Sequence, residues 1–253
     1  MFKHAITRTP CKQLVNGLTT ATLGKPVYKK ALEQHNAYMR ALKHCGIHVT
    51  LLPAESHLPD SVFVEDVVLC TKHCAVLTRP GAASRRDEVN TMAATIQHFY
   101  DKIERINEPG TLDAGDVMMV DSHFYIGLST RTNEEGAQQL IAILKKYGMT
   151  GSVIQLKEVL HLKTGVTYIE NNNLLATGEF VSHPDFKKFN VIEIPENESY
   201  AANCVWINGR IVMPAGYHHT REKISTLGYS VIEVEMSEFR KINGGVSCMS
   251  LLF

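Results

Sequence analysis

Neither sign of charge is in excess in this 253-residue chain: 26 Lys and Arg stand against 26 Asp and Glu, with 12 His besides. A neutral total excludes a general pull toward nucleic acid or an anionic membrane. Any recognition of a charged ligand must therefore be local. Long apolar runs are missing too; none approaches the roughly 18 residues that read as a membrane span. The opening residues Met1-Phe2-Lys3-His4-Ala5-Ile6-Thr7-Arg8 lack the apolar stretch and small-residue cleavage site of a secretory signal. Cysteine is sparse, six in all. That is too few for a disulfide scaffold, so reduced thiols and a cytoplasmic location are the expectation. Low-complexity linkers are absent. With 44% hydrophobic and 21% charged residues, the chain is long enough to bury a core in one large domain or two small ones.

What is present alternates between helix and strand. Pro26 to Gly46 carries Val27, Ala31, Tyr38, Leu42 and Cys45 at helical spacing, with Pro at the start and Gly at the end. Asp87 to Tyr100 and Asn133 to Gly148 repeat that periodicity. Between them lie β-rich runs at Val62–Cys70, Ala75–Thr78, Val117–Val120, Phe124–Ile126, Val205–Ile207 and Arg210–Met213. The class is α/β with many short strands. A weak repeat runs through it: a polar residue, two strands, then Ser/Thr-Arg opening a helix. Its copies start at Asp66, Asp116 and Asn203 and reach Arg85, Arg131 and Arg221. A degenerate copy runs from Asn171 to Ser182. A period near 45 residues implies about five units, the mark of a radial or stacked repeat. In a radial arrangement Asp66, Asp113, Asp116, Asn203 and the closing Gly244-Gly245-Val246-Ser247-Cys248 converge on one mouth, a natural small-molecule site.

Candidate chemistry is concentrated in a few places. Gly244-Gly245 permits unusual dihedrals or close backbone approach just before Cys248, which makes that cysteine stand out from Cys11, Cys45, Cys70, Cys74 and Cys204. A thiol nucleophile needs a base, and His161 among leucines is the local candidate, although a core histidine fits equally. Glu65 and Asp66, read as adjacent strand residues, face opposite sides, so one of them enters any given pocket. Arg85 and Arg131 oppose the dipole of the helices they open, which suggests an anion before them. Cys70-x3-Cys74 with His73 has no second Cys/His pair to complete a zinc site.

Four segments, Ser61-Val62-Phe63-Val64-Glu65-Asp66, Asp113-Ala114-Gly115-Asp116, His161-Leu162-Lys163-Thr164-Gly165 and Gly244-Gly245-Val246-Ser247-Cys248-Met249-Ser250, stand in one order. In that order and spacing the chain resembles the dimethylarginine dimethylaminohydrolases, of bacterial type by length and over essentially all residues. The resemblance implies a five-bladed α/β propeller of ββαβ units around a central active site, and a single domain over 1–253. It implies hydrolysis of Nω-methylated arginines to citrulline and an alkylamine through a covalent thiouronium on cysteine.

By the same resemblance Cys248 matches the nucleophile, His161 the general acid and base, and Asp113 the carboxylate that orients the imidazole. Bacterial members often have Glu at that third position, so the shorter Asp113 puts the reach to His161 in question. Asp66 matches the grip on the guanidinium, Arg85 and Arg131 the pair for the α-carboxylate, and Asp60 with the Leu18 carbonyl the grip on the α-amino group. Glu65 lines the pocket and Ile242 makes a backbone contact. No cofactor or metal is required, the partner is a small molecule rather than nucleic acid or membrane, and a homodimer is open. Arginine deiminases share the Cys, His and carboxylates but are longer. Ribosome anti-association factors share the fivefold repeat but not the triad.

Overall fold

The structure is a computed structural model describing residues 1–253. It opens with β1 (His4–Arg8), α1 (Tyr28–His44) and β2 (His48–Leu52), the two strands lying parallel. Full units of strand, strand, helix, strand follow. The first is β3 (Val68–Cys70), β4 (Ala75–Leu77), α2 (Glu88–Ile96) and β5 (Ile103–Arg105). Next come β6 (Val117–Val120), β7 (His123–Leu128), α3 (Glu134–Lys146) and β8 (Thr150–Gln155). The short α4 (Leu162–Gly165) leads into β9 (Val166–Tyr168), β10 (Asn173–Ala176) and β11 (Asn190–Glu193). The last full unit is β12 (Val205–Ile207), β13 (Arg210–Pro214), α5 (His218–Thr226) and β14 (Ser230–Val234). After α6 (Ser237–Arg240), β15 (Leu251–Leu252) pairs antiparallel with β1, so the end of the chain completes the sheet that its beginning started.

The result is five separate three-stranded sheets, each with an antiparallel first pair and a parallel second pair. This is the five-bladed α/β propeller that the resemblance implies, and its blades are the roughly five units read from the repeat. The middle strand of each blade is buried on both faces, as in β4, β7 and β13, and so reads as a continuous apolar run. The third strand of each blade is the exposed outer edge, for example β5 and β11. Apolar packing is divided accordingly into five clusters and not gathered into one.

The three helices read from periodicity form within a few residues of their expected ends. Asn133 caps α3 by accepting the Gly136 N–H at 2.8 Å. The degenerate repeat has a physical cause: where the third blade should have its helix, Gly178–Phe180 and Pro184–Phe186 form two 3₁₀ turns instead. Pro184 lacks an N–H and disfavours helix in the residue before it. Two expectations need correction. Arg221 lies inside α5 and faces Glu233 at 3.6 Å, so it is not the counterpart of Arg85 or Arg131. Val64–Val67 is a 3₁₀ turn and not the start of a strand.

Candidate active site

Each blade's first strand is preceded by a short helical turn, and these turns meet at the centre. Val64–Val67 touches both Ala114–Asp116 and Ser247–Met249, while α4 touches Ala114–Asp116 and Glu196–Ala202. The expected convergence of Asp66, Asp113, Asp116, Asn203 and Cys248 is therefore found, carried on turns and not on strand ends. The correction at Val64–Val67 matters here. In a 3₁₀ turn of three residues, neighbours diverge by about 120° and not by the 180° of a strand. Asp66 and Glu65 accordingly both reach the central region: Asp66 faces His161 and Arg85, and Glu65 faces Lys163 and Ser247.

His161 is fixed by carboxylates on two sides. Its Nε2 lies 3.1 Å from Asp113 Oδ2 and its Nδ1 3.9 Å from Asp66 Oδ1. The shorter Asp113 thus reaches the imidazole, and its other oxygen accepts the Gly81 N–H at 2.9 Å. Asp116 braces the same place from below, accepting the Leu162 N–H at 3.0 Å and the hydroxyls of Ser129 and Thr132, each at 2.7 Å. Gly115 passes so close that a Cβ there would lie 2.7 Å from Asp66 Oδ1 and 2.8 Å from His161 Nδ1. Burial works to lower the His161 pKa, but Asp66, Asp116 and Asp113 outweigh it and push it up to about 9. The carboxylates around it thus favour the imidazolium form.

Cys248 is 9% exposed and sits in the turn Ser247–Met249, receiving the Gly245 N–H on sulfur at 3.3 Å. Burial first, and then Glu65 and Asp66, push its thiol up to about 12. The glycine pair before it acts by close approach. A Cβ on Gly244 would lie 2.2 Å from the Phe63 ring, and one on Gly245 would lie 2.3 Å from Asn203 Oδ1. The left-handed residue of this segment is Asn243, at φ 58°. Cys11, Cys45, Cys74 and Cys204 are buried, and Cys70 is half-buried in the β3–β4 hairpin.

A cavity of about 400 Å³ is lined by Glu65, Gly115, His161, Lys163, Asn203 and Cys248, among others. A smaller space sharing His161 and Cys248 is lined by Leu18, Asp60, Asp66, Arg85, Arg131 and Ile242. Of the catalytic and substrate-binding residues the resemblance implies, all but Asp113 face one of these two spaces, and Asp113 stands directly behind His161. Asp60 accepts the Leu18 N–H at 2.9 Å, and the Leu18 carbonyl receives no backbone hydrogen bond.

The two arginines are not equivalent. Arg85 is buried and occupied by the protein itself, paired with Asp66 and Glu88 and donating to the Phe63 carbonyl at 3.0 Å. Arg131 lines the same space with no side-chain hydrogen bond or ion pair, and so is free to receive an anion. Replacing Arg131 by Leu should raise KM about ten- to a hundredfold, the worth of a lost hydrogen bond to a charged group, with little change in melting temperature. Arg85→Leu should instead cost about 3–5 kcal/mol of stability, because it strands two buried carboxylates. Thermal melts beside steady-state kinetics separate the two; equal loss of stability in both variants would refute the distinction.

Several contacts of the site escaped the sequence reading. Glu88 lies three residues after Arg85, a spacing that could have revealed the pair. Lys163 meets Glu65 at 2.6 Å and Asn203 bonds Ser247, contacts between residues far apart in sequence that no local pattern announces. One grouping has metal-ligand character: Asp66, Asp113 and His161 bring ligand atoms within 4.8 Å of one another. The same geometry places both carboxylates where they stabilise an added proton on the imidazole.

The family described as N,N dimethylarginine dimethylhydrolase, eukaryotic, matches residues 21–251. An N(G),N(G)-dimethylarginine dimethylaminohydrolase of Pseudomonas aeruginosa is 66% identical over 254 residues, covering all of both chains. A solved structure of the Pseudomonas aeruginosa enzyme, a cysteine-to-serine mutant complexed with citrulline, superposes with a TM-score of 0.99 at 65% identity over the whole of both chains. A second, a dimethylarginine dimethylaminohydrolase with histidine replaced by glycine and carrying an adduct with S-methyl-L-thiocitrulline, gives the same TM-score, identity and coverage.

Proposed function

The chain belongs to the dimethylarginine dimethylaminohydrolase family, and from that premise we propose that Cys248, His161 and Asp113 hydrolyse Nω-methylated arginines to citrulline and an alkylamine. The observation that carries the assignment is the meeting of a buried thiol, a carboxylate-flanked imidazole and the Asp66 carboxylate beside the space lined by Asp60 and Arg131. A guanidinium carbon is a poor electrophile, so it must be held planar and oriented. Asp66 supplies the anion for that end of the substrate, Arg131 the cation for the α-carboxylate, and Asp60 with the Leu18 carbonyl the acceptors for the α-amino group; Arg85 lines the same space but is committed to Asp66 and Glu88. Glu65 and Ile242 complete the walls.

The chemistry then runs in two halves. The bound guanidinium cation favours ionisation of Cys248 by opposite charge, the thiol proton passing to solvent because His161 already carries one, and the thiolate adds to the guanidinium carbon. The protonated His161 gives its proton to the departing nitrogen, the C–N bond breaks, and the alkylamine leaves a cationic thiouronium on sulfur. Neutral His161 now takes a proton from water, and the hydroxide adds to the thiouronium carbon. Collapse breaks the C–S bond, the hydroxyl proton passes to the departing Cys248 sulfur, and citrulline is released. Asp113 holds the imidazole in one orientation throughout and stabilises its cationic form.

Purified protein incubated separately with asymmetric dimethylarginine, monomethylarginine and arginine should release citrulline from the two methylated substrates far faster than from arginine. Ammonia from arginine as the dominant product would make the protein a deiminase. Absence of citrulline from all three would end the enzymatic reading. The single domain over 1–253, the cytoplasmic setting and the open question of a homodimer belong to the same proposal.

A further inference from the structure

The peptide unit joining Gly244 to Gly245 is held at both of its ends. Its carbonyl accepts the Tyr200 hydroxyl at 2.7 Å, and its N–H points at Cys248 Sγ at 3.3 Å. The hydroxyl, the peptide and the sulfur therefore form one chain, in which each hydrogen bond polarises the next. Asn203 clamps the neighbouring residue. Its Oδ1 accepts the Ser247 N–H at 3.0 Å, and its Nδ2 donates to Ser247 Oγ at 3.1 Å and to the Lys163 carbonyl at 3.0 Å. This arrangement fixes which way round the amide sits, since the reversed amide would set oxygen against the Lys163 carbonyl. Gly245 has to be glycine for Asn203 to lie this close.

We infer that Tyr200 and Asn203 are positioning residues for the nucleophile: together they aim the Gly245 N–H at Cys248 as a preorganised donor for the thiolate. A donor to an ionised sulfur is stronger than one to a neutral thiol, so the bond stabilises the state that forms and not the one at rest. Burial, Glu65 and Asp66 oppose ionisation of Cys248, and the Gly245 N–H is the hydrogen bond that favours it. Tyr200 needs no contact with substrate for this role.

The inference rests on Cys248 being the nucleophile, and the experiment separates the two. Tyr200→Phe removes one oxygen and keeps the ring that packs under Arg240 and beside Tyr217. It should lower kcat about tenfold with KM within about twofold, and slow iodoacetamide alkylation of Cys248 at fixed pH by a similar factor. Asn203→Ala should act in the same direction. A purely structural role predicts otherwise: a loosened turn would expose the thiol and speed its alkylation. Unchanged kcat and alkylation in a folded Tyr200→Phe, faster alkylation, or loss of folding in both variants would each overturn the inference. If Cys248→Ser itself stays active, the failure lies with the assignment of the nucleophile and not with Tyr200.

Discussion

Cys248→Ser is expected to lose citrulline formation by more than about a thousandfold while keeping its fold and its affinity for methylated arginine. The oxygen replaces the sulfur in the same turn, but a hydroxyl is a far weaker acid, and this site ionises its nucleophile only with help. With the thiol pushed up to about 12 and His161 up to about 9, the resting pair is neutral thiol and imidazolium, not a preformed ion pair. The cation of the substrate is what tips Cys248 toward thiolate. Two pH profiles follow. Alkylation of free enzyme by the neutral reagent iodoacetamide should be slow and keep rising past the ordinary thiol value of about 8.5. Turnover should instead fall as pH passes about 9, because His161 loses the proton it must give to the leaving amine. An alkylation plateau at neutral pH would mean a preformed thiolate and a different activation.

Much of this was legible in the chain, for identifiable reasons. The repeat could be read because each blade's middle strand is buried on both faces and leaves an apolar run, as at Ala75–Leu77 and Arg210–Pro214. Helix periodicity did the same for α1 and α3. The Gly244-Gly245 pair drew attention to Cys248, and its physical cause is close packing against Phe63 and Asn203 that admits no Cβ. The failures are equally physical. Val64–Val67 is rich in β-branched residues and reads as strand, yet the ring of central turns imposes a 3₁₀ geometry that brings both Glu65 and Asp66 to the centre. Arg85 and Arg131 stand at matching points of the repeat, yet Glu88 and Asp66 occupy one and leave the other free. Which partner a charged side chain chooses is decided across blades, as with Lys163 and Glu65, 98 residues apart.

Asp66→Asn should be as damaging as loss of the thiol, and its signature should be two changes of opposite sign. The carboxylate has three tasks: it pairs with Arg85, accepts the Gly115 N–H at 3.1 Å, and sits 3.9 Å from His161 Nδ1. The amide keeps the shape but loses the charge that faces the substrate cation, so kcat/KM should fall by more than about a thousandfold, a large share of the catalytic electrostatics. Arg85 still has Glu88 and the Phe63 carbonyl, so the variant should fold. The same lost charge was helping to raise both His161 and Cys248. With Asp66 neutral, the imidazolium loses an anion and its pKa falls, moving the alkaline limb of residual activity to lower pH. The thiol loses a repelling neighbour and its pKa falls too, so iodoacetamide should react with Cys248 faster than in the unaltered enzyme. Activity down with thiol reactivity up identifies Asp66 as an electrostatic partner of the substrate. If alkylation slows together with turnover, Asp66 acts by shaping the site, and the cation that activates Cys248 must be held elsewhere.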